Sequence, residues 1–319
     1  MKKWLSVAVG LVVIMAASSV IRRWSLVNNI IVSPVGVYKE KPLEKYTIEN
    51  LQRRGGISSK ITYSDNKFYF YSDGRKISGI VNGATDSGRP VVVMFHGSAD
   101  EGEYYPGFGT QKVAEALAKN GFTTYAPDFL GYGESDPGTE NDFENRFLTW
   151  TTNMDLITSI HYQLPARPAG GPTNNLYLWG HSNGGQIALS ILTITLWQYT
   201  TVLWNPVTKP FPYNILYFID GYDDEGRWLR KVTAEFEKEY DVDKYSFDKY
   251  LSNIKAPILL QQGEADEWVP VKWNRSFNSK FATLNSQFQY KEYPGANHNL
   301  APKWQEAVND LLKYYRAHN

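Results

Sequence analysis

A serine flanked by glycines, at the junction of two apolar segments, is the feature that most restricts the fold of this chain. Residues 180–184 read Gly-His-Ser-Asn-Gly, between a short apolar run at 176–179 and an apolar helical stretch at 186–196. This order predicts a strand, a sharp turn and a helix. Glycines let the strand and the helix pass closely, while Ser182 is held in a strained conformation with its hydroxyl exposed. The pattern therefore predicts a nucleophilic serine on the turn.

Apolar runs typical of strands alternate with helical segments along most of the chain. The predicted strands cover residues 67–71, 76–81, 91–95, 122–126, 176–179, 201–204, 257–262 and 287–293. The predicted helices cover residues 110–120, 150–164, 186–196, 227–240 and 303–317. Such alternation predicts an α/β fold, with a mostly parallel sheet and helices on both of its faces.

The alternation also suggests how the chain is organised. Between residues 206 and 254 it is interrupted by a proline-rich stretch and a charged helical segment, which we interpret as a small cap over the carboxyl edge of the sheet. The main domain then covers residues 61–319 and includes this cap. Residues 24–60 are interpreted as a linker leading into the domain, and residues 1–23 as a separate N-terminal segment.

The N-terminal segment has the features of an export signal. Basic residues at positions 2, 3, 22 and 23 flank an apolar stretch of 18 residues, 4–21. That length lies between a long signal peptide and a minimal membrane span. The sequence therefore predicts an exported protein, secreted or periplasmic after cleavage, or attached to the membrane through residues 4–21. Both alternatives remain open.

Composition excludes several classes of function. Lys plus Arg and Asp plus Glu each number 33, so no basic surplus is available for binding nucleic acid. The chain has no cysteine, which excludes disulfides, thiolate chemistry and Cys-ligated zinc. No histidine or acidic spacing is typical of a metal site, and the glycine turn at 131–135 lacks the Lys-Ser/Thr of a phosphate-binding loop. We expect neither a metal nor a cofactor.

A serine nucleophile needs a base, and His298 is the best candidate among the five histidines. It lies in the loop between the last predicted strand and the last helix, at the sheet edge where catalytic residues gather. His181 directly precedes Ser182 on a strand, so its side chain should point away from the serine hydroxyl. The other candidates lie in a turn, beside the serine, within a helix and at the chain end: His96, His181, His161 and His318.

A carboxylate would fix the tautomer of this histidine and stabilise its protonated form. Asp266 is the preferred candidate because it follows the buried strand at 257–262. Glu264 and Glu267 are close alternatives, with Glu267 as the fallback. The chain order of serine, acid and histidine is the order expected when a nucleophile sits on a strand-to-helix turn of this kind.

Backbone N–H groups are expected to stabilise the oxyanion of a tetrahedral intermediate. One donor should be Asn183, and the second should be Ser98 or Ala99, in the turn after the strand at 91–95. The hydroxyl of Tyr104 or Tyr105 is an additional candidate donor.

Aromatic residues make up 15% of the chain, and some are predicted to line an apolar substrate pocket. The candidates are Tyr105, Trp204, Phe211 and Tyr213, with Trp228 also in the predicted cap. The alternative is that these side chains only pack the cap.

Five segments of the chain resemble the α/β-hydrolase superfamily: residues 96–97, 127–135, 180–185, 266–270 and 298. Within it, residues 75–319 are most similar to the catalytic domain of the prolyl oligopeptidase family of serine peptidases. The resemblance implies the α/β-hydrolase fold, a triad of Ser182, Asp266 and His298, and an acyl-enzyme intermediate.

The chain differs from that peptidase family at two points. The upstream sequence is too short for the family's N-terminal β-propeller, and the family's His-Gly-Gly-Pro turn reads His-Gly-Ser-Ala at 96–99. Stand-alone domains of this kind are often carboxylesterases, so the implied substrate is a small-molecule ester or a short peptide. The alternatives are an acyltransferase and a non-catalytic binding protein of the cell envelope.

Overall fold

The computed structural model describes residues 30–33, 36–39, 41–85, 88–100, 102–163, 176–219 and 224–318. The whole N-terminal segment, residues 1–23, lies outside these ranges. The chain divides into two units, Met1–Lys45 and Tyr46–Asn319. In the first unit, strand β1 (Ile30–Ser33) pairs antiparallel with β2 (Gly36–Lys39). Among the described residues, no helix combines the length and the apolar character needed to cross a membrane.

Nine strands form one sheet in the described part of the second unit. They are β3 (Thr62–Ser64), β4 (Lys67–Ser72), β5 (Arg75–Asn82), β6 (Val91–Phe95), β7 (Thr123–Pro127), β8 (Leu176–His181), β9 (Thr201–Trp204), β10 (Ile258–Gly263) and β11 (Phe288–Tyr293). Their order is β11-β10-β9-β8-β6-β7-β5-β4-β3. Pairing is parallel from β11 to β7 and antiparallel from β7 through β5 and β4 to β3. The predicted fold class is confirmed.

Seven α-helices accompany the sheet within the described residues. They are α1 (Ile48–Arg54), α2 (Gln111–Lys119), α3 (Asp142–Gln163), α4 (Asn183–Thr195), α5 (Arg227–Glu239), α6 (Val271–Phe281) and α7 (Trp304–Ala317). Helices α2 and α7 share a buried cluster with Val92 and Met94 of β6. Because strand side chains alternate between faces, Val91, Val93 and Phe95 face the opposite side of the sheet. Helix α4 packs on α1 and α3.

Three helices differ from the sequence prediction. Helix α3 begins at Asp142, well before residue 150, because the Asn141 side chain accepts the N–H groups of Phe143 and Glu144 at 3.0 Å and caps the first turn. Helix α1 lies in the segment interpreted as a linker. Helix α6 was not predicted, although Phe277 and Phe281 have the four-residue spacing of a buried helical face.

The segment interpreted as a cap is anchored by aromatic packing. Phe211 is 3% exposed, and its ring centroid lies 5.4 Å from those of Phe143 and Phe147 on α3. Phe236 of α5 completes this cluster, 5.6 Å from Phe211. For Phe211, the structure therefore shows the packing alternative rather than a substrate contact. Tyr213, in contrast, is 45% exposed.

Candidate active site

Ser182 occupies a strained turn between β8 and α4. Its backbone has φ +56° and ψ −121°, which is unfavourable for a residue with a Cβ. The Ser182 N–H donates to the carbonyl of Trp204 at 3.0 Å. Its own carbonyl accepts the N–H groups of Gly185 and Val207, both at 3.0 Å. These bonds tie the turn to the end of β9 and to the first turn of α4, and they hold the unusual conformation.

The flanking glycines are required by close backbone contacts. A Cβ on Gly184 would lie 2.0 Å from the carbonyl oxygen of Phe95 and 2.6 Å from that of His96. A Cβ on Gly180 would lie 2.5 Å from the carbonyl oxygen of Gly184. Any side chain at either position would collide with backbone, so the glycines let the helix start directly against the sheet.

The turn after β6 passes beside the serine. A Cβ added to Gly97 would lie 3.0 Å from Ser182 Cβ and 3.6 Å from Ser182 Oγ. Ser98 and Ala99 follow in this turn, exposed and half-buried respectively. Asn183 is the first residue of α4, where an N–H has no acceptor within its own helix. The predicted backbone donors thus belong to the two segments that meet at Ser182.

Tyr104 is engaged elsewhere. Its hydroxyl donates to the carboxylate of Asp128, which also accepts the hydroxyl of Ser78 at 2.5 Å. Burial raises the pKa of Tyr104 and that of Asp128. The Tyr104 proton is therefore not available to an oxyanion, and the prediction of Tyr104 as an additional donor is wrong. Tyr105 is 53% exposed.

The predicted acid and the predicted base are in contact. Both carboxylate oxygens of Asp266 lie 2.9 Å from His298 Nδ1, and the Asp266 side chain is fully buried. Asp266 Oδ1 also accepts the N–H groups of Trp268 and Val269, each at 2.8 Å. A carboxylate at Nδ1 assigns the proton to that nitrogen and leaves Nε2 as the acceptor.

The alternative acids have different positions. Glu267 Oε2 accepts the backbone N–H of His298 at 3.1 Å, so it holds the loop rather than the ring. Glu264 is exposed. Of the three candidates, Asp266 is thus the one in contact with the imidazole.

Asn205, directly after β9, was missed in the sequence. It is fully buried, and its Nδ2 donates to the carbonyl oxygen of His298 at 2.6 Å. Its Oδ1 accepts the N–H of Gly263 at 2.7 Å. One side chain therefore joins the ends of β9 and β10 to the histidine loop. A polar residue directly after a buried strand was the available signal.

His181 provides a second link to the same loop. Its Nε2 lies 2.9 Å from the carbonyl oxygen of His298, and the two imidazole centroids are 4.6 Å apart. Burial, together with the nearby His298, lowers the pKa of His181 to about 4. His181 is therefore neutral at neutral pH and donates to this carbonyl. The sequence predicts only that the His181 side chain points away from Ser182, and not this contact.

The Ser182 hydroxyl has no hydrogen-bond partner within the described part of the chain, so no bond joins it to His298. The His298 loop is nevertheless bound to His181, the residue before Ser182. Hydrogen bonds between nucleophile and base often tighten only when substrate binds.

A cavity of about 850 Å³ is lined by two of the predicted substrate residues, Tyr105 and Trp204. Phe211 and Tyr213 are not among the described residues that line it. No group of three His, Asp or Glu side chains suited to a metal ion occurs within the described ranges.

Two protein families match parts of the sequence. One, described as the alpha/beta hydrolase fold, matches residues 90–193, and the dienelactone hydrolase family matches residues 244–316. The first match contains Ser182, and the second contains Asp266 and His298. Both matches agree with the observed sheet in indicating the α/β-hydrolase fold, although each covers less than half of the chain.

The curated relatives of this chain are distant. The chain is 24% identical over 251 residues to lysophosphatidylserine lipase ABHD12 of Danio rerio, covering 72% of this chain and 59% of the relative. It is 24% identical over 248 residues to protein ABHD12B of Homo sapiens, covering 72% and 62%. The chain thus spans less than two thirds of the length of these relatives.

Solved structures share the fold. Est1E from Butyrivibrio proteoclasticus with bound ferulic acid is 17% identical, with a TM-score of 0.55, covering 78% of this chain and 98% of Est1E. The Pyrococcus furiosus esterase Pf2001 is also 17% identical, with a TM-score of 0.56, covering 82% and 93%. At this identity, the likeness concerns the architecture of the α/β-hydrolase alone.

Proposed function

We propose that the protein is a serine ester hydrolase in which Ser182 is the nucleophile, His298 the base and Asp266 the residue that orients the base. The observation that carries the proposal is the contact between the buried Asp266 carboxylate and His298 Nδ1 at 2.9 Å. It occurs at the sheet edge where β8 ends in the strained Ser182 turn. Ligands and catalytic groups collect at this edge in parallel sheets.

Acylation follows from these groups. His298 Nε2 takes the Ser182 hydroxyl proton, and Oγ bonds to the ester carbonyl carbon. The carbonyl oxygen becomes an oxyanion, which the N–H of Asn183 and an N–H from Ser98 or Ala99 stabilise. The bond to the leaving alcohol oxygen then breaks, and His298 returns its proton to that oxygen. Asp266 stabilises the protonated imidazole throughout.

Deacylation repeats the same chemical steps with water as the nucleophile. His298 Nε2 removes a proton from water, whose oxygen bonds to the acyl carbon. The same donors hold the second oxyanion. The bond to Ser182 Oγ breaks, the proton on Nε2 returns to that oxygen, and the carboxylic acid leaves. No metal or redox group is needed to balance either half-reaction.

The names of the relatives support an ester rather than a peptide. A lysophosphatidylserine lipase and the Pyrococcus furiosus esterase Pf2001 are among the proteins similar to this chain. We therefore favour a small-molecule carboxylic ester with an apolar part. The similarity to prolyl oligopeptidase makes hydrolysis of short peptides the second candidate, and it rests on the motifs alone.

Labelling with a fluorophosphonate, followed by turnover of nitrophenyl esters of varied chain length, tests the proposal. Wild type should be labelled and active, and Ser182→Ala should lose both properties. Ser190→Ala is the matched control, because this buried hydroxyl of α4 has no partner in the described residues. Absence of labelling in folded wild type would favour a non-catalytic binding protein.

The same panel separates the remaining alternatives. Faster cleavage of peptidyl anilides than of any ester would support the peptidase. Acyl transfer to added alcohols or amines in preference to water would support an acyltransferase.

We also propose that the protein is exported through residues 1–23. The support is the apolar stretch at 4–21 with basic flanks. Cell fractionation together with N-terminal sequencing of the recovered protein tests this. Cleavage indicates a signal peptide, and an intact chain in the membrane fraction indicates an anchor. An intact chain in the cytosolic fraction would contradict export.

A further inference from the structure

The glycine turn at residues 131–135 contacts the turn that lies beside Ser182. The hydroxyl of Tyr132, in the glycine turn, donates to the carbonyl oxygen of Ala99 at 2.8 Å. Ala99 is the last residue of the His-Gly-Ser-Ala segment at 96–99, which we call the oxyanion turn. Strands β6 and β7 are parallel neighbours, so the segments that follow them leave the sheet at the same edge. A residue 33 positions further along the chain therefore supports the oxyanion turn.

Two carbonyl groups of the oxyanion turn are bonded to aromatic side chains. Besides the Ala99 contact, the carbonyl oxygen of Gly97 lies 2.6 Å from Nδ1 of His96. A carbonyl can only accept, so this nitrogen carries the proton. In a trans peptide the N–H points away from the carbonyl of the same unit, and the Ser98 N–H is thus directed away from the His96 ring. The N–H groups of Ser98 and Ala99 have no acceptor within the described residues, which leaves them available to an oxyanion.

The ring of Tyr132 is fixed by its aromatic neighbours. Its centroid lies 4.7 Å from that of Tyr104 and 6.2 Å from that of His96. The His96 ring in turn stacks on Phe129 with centroids 4.0 Å apart. Because these contacts involve only the rings, a phenylalanine in place of Tyr132 would keep the packing. It would lose only the hydroxyl that reaches the oxyanion turn.

We propose that Tyr132 is a positioning residue, whose hydroxyl holds the Ala99 carbonyl and so keeps the N–H groups of the oxyanion turn beside Ser182. The inference rests on the proposed ester hydrolysis. Tyr132 does not touch the substrate in this role. It acts through the backbone of residues 97–99, which approaches Ser182 at Gly97. Without the hydroxyl, the turn would populate its productive arrangement less, and the oxyanion would lose stabilisation.

Tyr132→Phe tests the role of the hydroxyl. It should lower kcat for a nitrophenyl ester roughly 3- to 10-fold, the effect of one neutral hydrogen bond, and leave KM within about two-fold. An alkyl trifluoromethyl ketone, which forms an oxyanion when it adds to Ser182, should bind more weakly by the same factor. The pH dependence of kcat should stay unchanged, because His298 is held by contacts with Asp266 and Glu267.

Tyr104→Phe is the matched control, since it removes a hydroxyl of the same cluster that donates to Asp128 and not to the oxyanion turn. It should leave kcat within about two-fold. It should lower the melting temperature more than Tyr132→Phe does, because the buried Asp128 carboxylate loses a hydroxyl donor and keeps only that of Ser78 among the described hydroxyls.

Three results would overturn the proposal. They are a kcat of Tyr132→Phe within two-fold of wild type, an equal loss of kcat in Tyr104→Phe, and a fall in kcat without a matching loss of affinity for the trifluoromethyl ketone. A wild type that neither hydrolyses esters nor reacts with a fluorophosphonate would contradict the proposed function, and this inference with it. An active wild type with an unaffected Tyr132→Phe would contradict this inference alone.

Discussion

The two sides of Ser182 are built differently. On one side, His298 is held at its ring by Asp266, at its N–H by Glu267 and at its carbonyl by Asn205 and His181. On the other, the turn after β6 approaches through Gly97, and its next residue, Ser98, is exposed. In the proposed mechanism, this difference means that the base is positioned in advance, whereas the oxyanion side is open to substrate.

The largest expected effect tests which carboxylate serves the base. Asp266→Asn should lower kcat for a nitrophenyl ester by roughly 10⁴-fold, because the ring loses the acceptor that sets its tautomer. Glu267→Gln keeps an acceptor oxygen for the His298 N–H and should cost less than about 10-fold. Steady-state kinetics at saturating substrate distinguishes the two, with thermal melting as the control for folding. Equal losses would mean that the loop contact matters as much as the ring contact.

The second effect probes the open side. Gly97→Ala introduces a Cβ about 3.0 Å from that of Ser182, so the turn must move away. A displaced oxyanion donor should lower kcat by roughly 10²-fold, comparable to the loss of one such donor. Ser98→Ala preserves every backbone N–H and should leave kcat within about three-fold. A normal rate for Gly97→Ala would show that the turn does not contribute to the oxyanion site.

These two sides also show what the sequence could reveal. Strands β6 and β9 were predictable because they are short apolar runs. The contact between Asp266 and His298 was predictable because each lies in the loop directly after a strand of the sheet. The position of Asn205 after a buried strand was a signal, but its contact and that of His181 with the His298 carbonyl were not predictable, since they join residues 93 and 117 positions apart. Contacts of this length depend on the register of the sheet. Helix α6 was missed although Phe277 and Phe281 carried its periodicity.

A third, smaller effect compares the two buried histidines that flank the site. Burial lowers the pKa of His96 to about 4, and burial aided by His298 does the same for His181. In the unfolded chain, a histidine has a pKa of about 6.5. As pH falls below that value, the unfolded chain gains a proton that the native chain does not accept until about pH 4. Each histidine should therefore lower the free energy of unfolding as pH falls through this window, by up to about 1.4 kcal/mol per pH unit.

Urea unfolding between pH 6.5 and 5 measures this slope, above the range where most carboxylates titrate. The slope of unfolding free energy against pH reports how many protons are taken up on unfolding. His96→Gln and His181→Gln should each lower that number by up to one, and the double variant by up to two. His181 donates to His298, whereas His96 Nε2 has no partner in the described residues. At pH 8, where both are neutral, His181→Gln should thus affect kcat more than His96→Gln. An unchanged slope in either variant would mean that its histidine takes up a proton in the native state, and that its side of the serine is more open to water than its burial indicates.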